Sequence, residues 1–196
     1  LGGKEAIGIC SSGLVDLLAQ LRRCKLLLRD GYLLRQSEAE KAGLPRELCG
    51  RLVVRKEQNA FLLCGEKEGK KEIYLLQSDI RNLQLAKAAI QAGIISILAV
   101  AQISLEEVDE FVVAGVLGSC VRQMSAVSIG LFPEAVREKI ILAGNAAGKG
   151  AVLGVLDTAF SEKMERLAKE ISHIEIAQER GFQDCLMNAM DIQRWL

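Results

Sequence analysis

Two glycine-rich segments contain the residues of this sequence best suited to bind a ligand. Val112–Ser119 includes Gly115 and Gly118, and Gly144–Gly150 includes a third glycine at Gly148. Each follows an apolar stretch typical of a strand, and a glycine after a strand lets backbone amides approach a phosphate or a ring closely. For Val112–Ser119 the residues alone leave two interpretations open, a tight strand-to-helix turn or a ligand contact.

The Gly144–Gly150 segment resembles a phosphate-binding loop only superficially. Too few residues separate Gly144 from Gly148 for a Walker A loop, and Gly150 occupies the position of the magnesium-binding Ser or Thr. The dinucleotide fingerprint fails too, because Leu153 stands where Gly or Ala is needed. A second interpretation is that the small residues of this segment permit close helix packing, as in a packing or hinge helix.

The other reactive side chains point to no catalytic residue and no metal site. The single histidine, His173, alternates with isoleucines in a predicted strand and is interpreted as a partly buried structural residue. The six cysteines form no CxxC pair, so they predict neither a metal nor an iron–sulfur site. Most are expected to behave as small hydrophobic residues in a reducing cytoplasm.

A polar stripe runs along the longest predicted helix. Arg81, Gln84, Lys87 and Gln91 recur at spacings that place them on one helix face. Two interpretations are open, a solvated face or the side wall of a ligand cleft.

Composition excludes several classes of partner. The chain has 196 residues, 50% of them apolar, and 25 basic residues balance 25 acidic ones. A net charge of zero argues against nucleic acid as a partner. The longest unbroken apolar stretch, Ala92–Ala101, is shorter than the roughly 20 residues that span a bilayer, so no membrane segment is expected.

Hydrophobic periodicity predicts an α/β layered fold. Helices are predicted over 13–29, 79–101, 123–128, 145–156, 161–171 and 181–190, and strands over 52–55, 60–64, 73–76, 110–115, 139–144 and 173–177. Residues 30–47 are predicted as a loop or short helical insertion, and the charged residues 65–72 as a solvated hairpin tip. In such folds ligands bind beyond the carboxyl ends of the strands.

Four sequence blocks carry a resemblance to a known family. Gly8–Asp16, Gln77–Ile90, Ile129–Pro133 and Gly144–Ala151, in this order, resemble the reductive activators of corrinoid proteins. The resemblance implies a ferredoxin-type parent with an iron–sulfur cluster domain and an actin-like ATPase domain of ribonuclease H-like fold. Such proteins use ATP to return the cob(II)alamin of a corrinoid protein in a methyltransferase system to cob(I)alamin.

The resemblance also assigns residues. It implies that residues 1–196 form a single domain, the C-terminal lobe of that ATPase cut from a longer protein, with a mixed sheet flanked by helices. A homodimer is compatible with the resemblance. ATP and magnesium are the implied ligands, while the cluster would belong to the absent N-terminal part. The implied nucleotide-binding residues are Gln84, Lys87, Gly115, Gly118, Ser119, Gly144 and Asn145.

The sequence departs from the family at two positions. Val116 stands where the family's adenosine turn commonly has glycine, and Ser11 stands where glycine is expected in the first block. A β-branched side chain resists a positive φ, so nucleotide affinity is expected to be weakened or lost. The alternative function is therefore a degenerate domain that binds no nucleotide and acts in docking or dimerisation. Sugar or acetate kinase activity is disfavoured, since no catalytic carboxylate motif is visible.

Overall fold

The computed structural model contains both helices and strands and describes residues 6–65, 71–115, 117–179 and 181–195. The α-helices are α1 Ser11–Arg23, α2 Gln36–Lys41, α3 Arg46–Cys49, α4 Gln77–Ala101, α5 Leu117–Cys120, α6 Gln123–Ser128, α7 Ala146–Leu156, α8 Thr158–Glu170 and α9 Phe182–Asn188. The strands are β1 Leu52–Arg55, β2 Gln58–Cys64, β3 Ile73–Leu76, β4 Phe111–Ala114 and β5 Ile140–Gly144. Short 3-10 helices cover Glu134–Lys139 and Ile176–Gln178.

The described strands form two sheets, a three-stranded antiparallel sheet and a two-stranded parallel sheet. β1, β2 and β3 pair in chain order, with Leu52 opposite Phe61 and Phe61 opposite Leu75. β4 and β5 pair in parallel, with Phe111 opposite Ile140. The α/β class predicted from the sequence is confirmed, and its parallel strands provide the edge at which ligand sites of such folds lie.

Both sheets contribute to one hydrophobic core. Leu75 of β3 and Val113 of β4 belong to the same buried cluster as Leu18 of α1. Full burial of one such leucine contributes about 1.5–3 kcal/mol. The shared core therefore holds the ends of β4 and β5 in a fixed position relative to α1.

Helix α1 ends earlier than predicted. Lys25 adopts a left-handed conformation with φ of 61°, and the backbone N–H groups of Leu26 and Leu27 both bond to the Leu21 carbonyl. The chain then pairs Leu27 with Leu33 in an isolated bridge. The predicted extension of this helix to residue 29 is wrong, because Leu26 and Leu27 are buried in an irregular segment. The predicted short helical insertion corresponds to α2 and α3, and residues 66–70 of the predicted hairpin tip lie outside the described residues.

Helix α4 buries small residues along its carboxyl-terminal half and leaves two isoleucines there exposed. Ile90 and Ile97 are 40% and 51% exposed, whereas Ala88 and Ala92 are fully buried. Small residues on the buried face let α9 pack closely on α4. The carboxylate of Asp79 accepts a hydrogen bond of 2.9 Å from the Leu76 N–H, so the helix begins slightly before the predicted start.

Helix α4 is also long and apolar enough to cross a membrane. It has 25 residues, and 33% of its most apolar window is buried inside the protein. The sequence predicted no membrane segment because its longest unbroken apolar run is short. The whole helix, polar residues included, has the length and mean hydropathy of a membrane-spanning helix. Core helices can have the same length and hydropathy, and α4 packs against β2, β3 and α9.

Gln84 and Lys87 tie α4 to the segment after α9. Both side chains are about 1% exposed. The Lys87 ammonium donates to the Ala189 carbonyl, and the Gln84 amide donates to the Met190 carbonyl at 2.9 Å and to the Asp30 carbonyl at 3.0 Å. The solvated-face interpretation is wrong for these two residues, because buried backbone carbonyls need donors.

A second set of contacts fixes the same segment. The Ile192 N–H donates to the Arg29 carbonyl at 2.7 Å, and the Arg29 guanidinium donates to the Asp191 carboxylate at 2.6 Å. Ile192 is 1% exposed and belongs to the core. The segment after α9 is therefore part of the folded core.

The predicted strand 173–177 is wrong. This stretch is unpaired and then enters the 3-10 helix Ile176–Gln178. The Ile176 side chain packs beside Gly93 of α4, where an added Cβ would lie 3.3 Å from the Ile176 Cδ1. His173 is 80% exposed and lies 3.6 Å from the Glu175 carboxylate, so its predicted partial burial is wrong too. The alternating isoleucines reflect packing on a helix.

Cysteine burial matches the prediction only in part. Cys49 is buried and Cys24 and Cys185 are half-buried, but Cys10, Cys64 and Cys120 are exposed. Within the described ranges no group of three metal-ligating side chains comes together.

Replacing Lys87 should change how stability depends on pH. Burial lowers the pKa of Lys87 to about 8, whereas a lysine in an unfolded chain has a pKa of about 10.4. Between these values the unfolded state binds more protons, so the free energy of unfolding of the wild type rises with pH, by on the order of 3 kcal/mol in total. Urea unfolding of the wild type and of Lys87→Met between pH 7 and pH 10.5 measures this rise in the free energy of unfolding. The variant should lack the rise.

The matched control is Lys163→Met on α8, where the lysine is exposed. This variant should keep the wild-type pH dependence. Equal slopes for wild type and Lys87→Met would contradict the burial of a titrating lysine at this position.

Candidate functional site

The two glycine-rich turns meet at the carboxyl ends of the parallel strands. β4 ends at Ala114 and β5 ends at Gly144, and these two residues are paired in the sheet. The Gly115 N–H donates to the Gly144 carbonyl at 2.7 Å. The turns predicted separately from the sequence therefore form one continuous surface of backbone.

Gly118 allows α5 to sit directly on the strand ends. A Cβ at Gly118 would overlap the Val113 carbonyl oxygen and lie 3.2 Å from the Gly144 nitrogen. Gly115 and Gly144 have φ values of 79° and 61°, a left-handed conformation that glycine adopts without strain. The Ser119 hydroxyl donates to the Gly115 carbonyl at 3.2 Å and closes the turn.

Asn145 begins α7 beside this turn. Its side-chain oxygen accepts a hydrogen bond of 2.9 Å from the Gly148 N–H, as an N-cap residue does. A Cβ at Gly148 would overlap the Asn145 amide, so this cap depends on glycine at that position. The positive end of the α7 dipole therefore faces the turn.

We call these five residues, Gly115, Gly118, Ser119, Gly144 and Asn145, the glycine-turn cluster. The structure brings together five of the seven predicted nucleotide-binding residues. Gly115, Ser119 and Asn145 are exposed, and an added Cβ at Gly115 would meet nothing within 4 Å. A ligand can therefore reach bare backbone at this edge of the sheet.

The other two predicted residues have partners elsewhere. Gln84 and Lys87 bond to carbonyls near residue 30 and in the segment after α9, not to the glycine-turn cluster. Any contact of theirs with a nucleotide stays a prediction. Val116, the departure from the family pattern, lies outside the described residues.

Asp16 of α1 forms an ion pair with a residue between α5 and α6, a contact that the sequence did not predict. Helix α1 contacts both α5 and α6, and one Asp16 carboxylate oxygen lies 3.3 Å from the Arg122 Nε. The other oxygen is shielded from solvent and has no hydrogen-bond partner among the described residues. Its position inside the Gly8–Asp16 block was the signal that could have placed it beside the cluster.

Cys10 caps the amino-terminal end of α1. The Cys10 Sγ accepts a hydrogen bond from the Gly13 N–H at 3.4 Å and lies 3.4 Å from the Ser12 hydroxyl. The Ser12 hydroxyl, followed by the Gly13 N–H, lowers the pKa of the Cys10 thiol. The position of Cys10 at the start of a helix therefore favours its thiolate form.

Helix α7 presents apolar side chains to solvent. None of its residues is buried in this chain, and Gly150 and Gly154 face open space. The close helix packing predicted for these glycines is therefore absent within the described residues. The exposed large apolar residues of α7, α8 and the residue after α8 are Val152, Leu153, Val155, Leu156, Met164, Leu167 and Ile171.

Comparison with known proteins decides the family. A family model described as the C-terminal domain of RACo, the ASKHA domain, matches residues 1–195. The chain belongs to this family. The resemblance noted in the sequence is thus confirmed, and so is the actin-like ATPase fold of the RACo C-terminal family.

Two similar proteins extend this result. The corrinoid activation enzyme RamQ of Eubacterium limosum is 32% identical over 193 residues, which cover 97% of this chain and 32% of RamQ. The solved structure of a reductive activator for corrinoid, iron–sulfur protein is 31% identical with a TM-score of 0.86, covering 98% of this chain and 30% of that chain. This RACo-family chain therefore spans about a third of the length of both proteins.

Substitution of Gly118 should destabilise the protein, whereas substitution of Gly150 should not. In Gly118→Ala the new Cβ overlaps the Val113 carbonyl, which costs about 1–3 kcal/mol of unfolding free energy. In Gly150→Ala the new Cβ meets open space inside α7, so stability should rise by about 0.5–1 kcal/mol. Chemical denaturation measures both, and a neutral Gly118→Ala would contradict the close approach of α5 to β4.

The capping role of Cys10 predicts a fast-reacting thiol. At pH 7.5 Cys10 should be alkylated by iodoacetamide faster than Cys64 or Cys120, because its neighbours favour the thiolate. Peptide mass spectrometry over time measures the three rates. Ser12→Ala should slow Cys10 and leave the other two unchanged, and equal rates for all three in the wild type would refute the effect.

Proposed function

We propose that the chain supplies one wall of the nucleotide site in an ATP-dependent reductive activase for a corrinoid protein. Membership of the RACo family, whose matched domain is an ASKHA domain, supports nucleotide binding. The names of the two similar proteins support a role in corrinoid activation. The observation that carries the proposal is the glycine-turn cluster, where backbone from two parallel strands is exposed at one edge.

The cluster fits an adenosine group and its phosphates. Open space at Gly115 leaves room for a flat ring against the turn, and Gly118 removes the side chain that would separate α5 from the strands. The start of α7 directs its positive end to the same place and favours a negative charge. None of the five cluster residues carries a carboxylate, so the cluster would bind and orient the nucleotide without acting as an acid or base.

Magnesium and the remaining phosphate contacts would come from outside the cluster. ATP would arrive as its magnesium complex, and its phosphates would need a second wall. The relatives are about three times as long as this chain, so their additional length has room for one. In this proposal residues 1–196 form the C-terminal lobe of a two-lobed ATPase in the cytoplasm, and a homodimer of that ATPase is compatible with it.

Corrinoid activation would require electron transfer through other parts of the protein. An iron–sulfur cluster in a ferredoxin-type domain would donate one electron to cob(II)alamin of the partner, which becomes cob(I)alamin in a methyltransferase system. Closure of the lobes around ATP would link nucleotide turnover to docking of that partner. The contribution of this chain is the binding surface that changes with closure.

A second function, docking without nucleotide binding, is favoured by one set of observations. The apolar surface of α7 and α8 includes Val155 and Leu156, which are 85% and 77% exposed. Exposed apolar surface of this kind marks contact with another protein surface. Val116 in place of glycine would weaken nucleotide binding in the same chain.

Calorimetric titration of Mg·ATP into the intact protein that contains this chain separates the two functions. The wild type should bind, and Gly118→Val should bind at least about tenfold more weakly, because a side chain at 118 displaces the turn from β4. Gly150→Ala, in open space on α7, should bind like the wild type. The 196-residue chain alone should show little or no thermal stabilisation by ATP, because it would supply only one wall of the site. Binding of ligand at about 100 times its Kd would instead add about 2.7 kcal/mol to the free energy of unfolding.

Thermal unfolding of each variant checks that loss of binding is not loss of folding. Ser119→Ala provides a milder change, because it removes only the hydroxyl that closes the turn. Absence of binding by the intact wild type at millimolar Mg·ATP would reject the nucleotide site and leave docking as the function.

A further inference from the structure

A groove rich in arginine lies on the face of the molecule formed by α1, α6 and the segment after α9. Its volume is about 530 Å³. We call it the arginine groove. It is lined by Ala19, Gln20, Arg22, Arg23, Met124, Ser125, Ser128, Gln193 and Arg194.

The lining carries positive charge without a carboxylate. Three of its residues are arginines and none is Asp or Glu, although the whole chain has a net charge of zero. Arg23 is exposed and has no ion pair or side-chain hydrogen bond within the part of the chain that the structure describes. The positive charge is therefore concentrated locally and available to a ligand.

The other two arginines are held in place by the fold. The Arg22 guanidinium donates to the Leu27 carbonyl at 2.8 Å, which leaves further N–H groups for a ligand. The Arg194 guanidinium lies 3.4 Å from the Glu134 carboxylate, which is shared with Arg137 at 3.1 Å. Partial burial, followed by repulsion from Arg29, lowers the pKa of Arg22, so an arriving anion would relieve this unfavourable environment.

The chemistry of the lining favours carboxylates on a peptide. Guanidinium groups bind carboxylates through two parallel hydrogen bonds. The polar side chains of Gln20 and Ser128 can bond to a peptide backbone, and Met124, which is 55% exposed, offers an apolar contact. No aromatic side chain lines the groove, whereas proteins that bind single-stranded nucleic acid stack bases on aromatic rings.

We propose that the arginine groove docks an acidic segment of a protein partner. This inference goes beyond the proposed function, because docking there needs no nucleotide. Asp16, Gln20 and Arg23 follow one another along one face of α1. The groove therefore begins near the Asp16–Arg122 pair, which lies 3.3 Å apart at the α5 end of α1. A partner in the groove would be placed next to the glycine-turn cluster.

Fluorescence anisotropy with a labelled peptide of alternating glutamate and serine tests the proposal on the intact protein. The wild type should bind this peptide and not its glutamine counterpart, and binding should weaken as NaCl rises from about 50 to about 300 mM. Arg23→Glu should weaken binding about tenfold, because it reverses the charge at the centre of the groove. Arg46→Glu, an exposed arginine on α3, should change affinity by less than about twofold.

Circular dichroism of each variant establishes that it is folded. If Arg23→Glu fails to fold, Gln20→Glu supplies the same test, since it places a negative charge on an exposed position of the lining. Equal affinities for wild type, the groove variants and Arg46→Glu would overturn the proposal. Displacement of the peptide by an equal concentration of inorganic phosphate, or tighter binding of a single-stranded oligonucleotide, would overturn it as well.

Discussion

The approach of α5 to the ends of β4 and β5 is the constraint on which the candidate site depends. The backbone at Gly118 lies so close to the Val113 carbonyl that no side chain fits between them. This contact determines where the turn after β4 lies, and the hydrogen bond from Gly115 to Gly144 then joins it to the turn after β5. Glycine is required at Gly118 for space and at Gly115 and Gly144 for a left-handed φ. The sequence therefore determines directly that no side chains cover the backbone at these positions.

Helix α4 satisfies a different constraint, the need of buried carbonyls for donors. The chain around residues 189–190 passes over α4 without regular secondary structure, so its carbonyl groups must be paired by side chains. Lys87 and Gln84 supply those donors. A lysine is a costly solution in a buried place, and its lowered pKa expresses that cost.

Local patterns were sufficient to predict most elements and the two turns of the site. β1, β3 and α6 have the predicted bounds. The meeting of the two turns followed from the parallel arrangement of their strands. The exposure of Ile90 and Ile97 on α4 could not be predicted, because they look like core residues until the position of α9 is known.

The remaining misses share a cause. His173 and its neighbours alternate as a strand does, but alternation does not reveal whether a partner strand is present. The ion pair of Asp16 was not predicted, because its partner Arg122 lies far along the chain. Each depends on a contact between distant segments.

Such distant contacts also set the order in which the molecule can be made. Ile192 completes the core, and the ion pair from Arg29 to Asp191 joins residues 162 positions apart. A nascent chain leaving the ribosome can form α1 and the antiparallel strands early, but they remain without their final neighbours until residues 189–192 have emerged. Translation of residues 189–192 is therefore the event that lets the earlier elements reach their native packing.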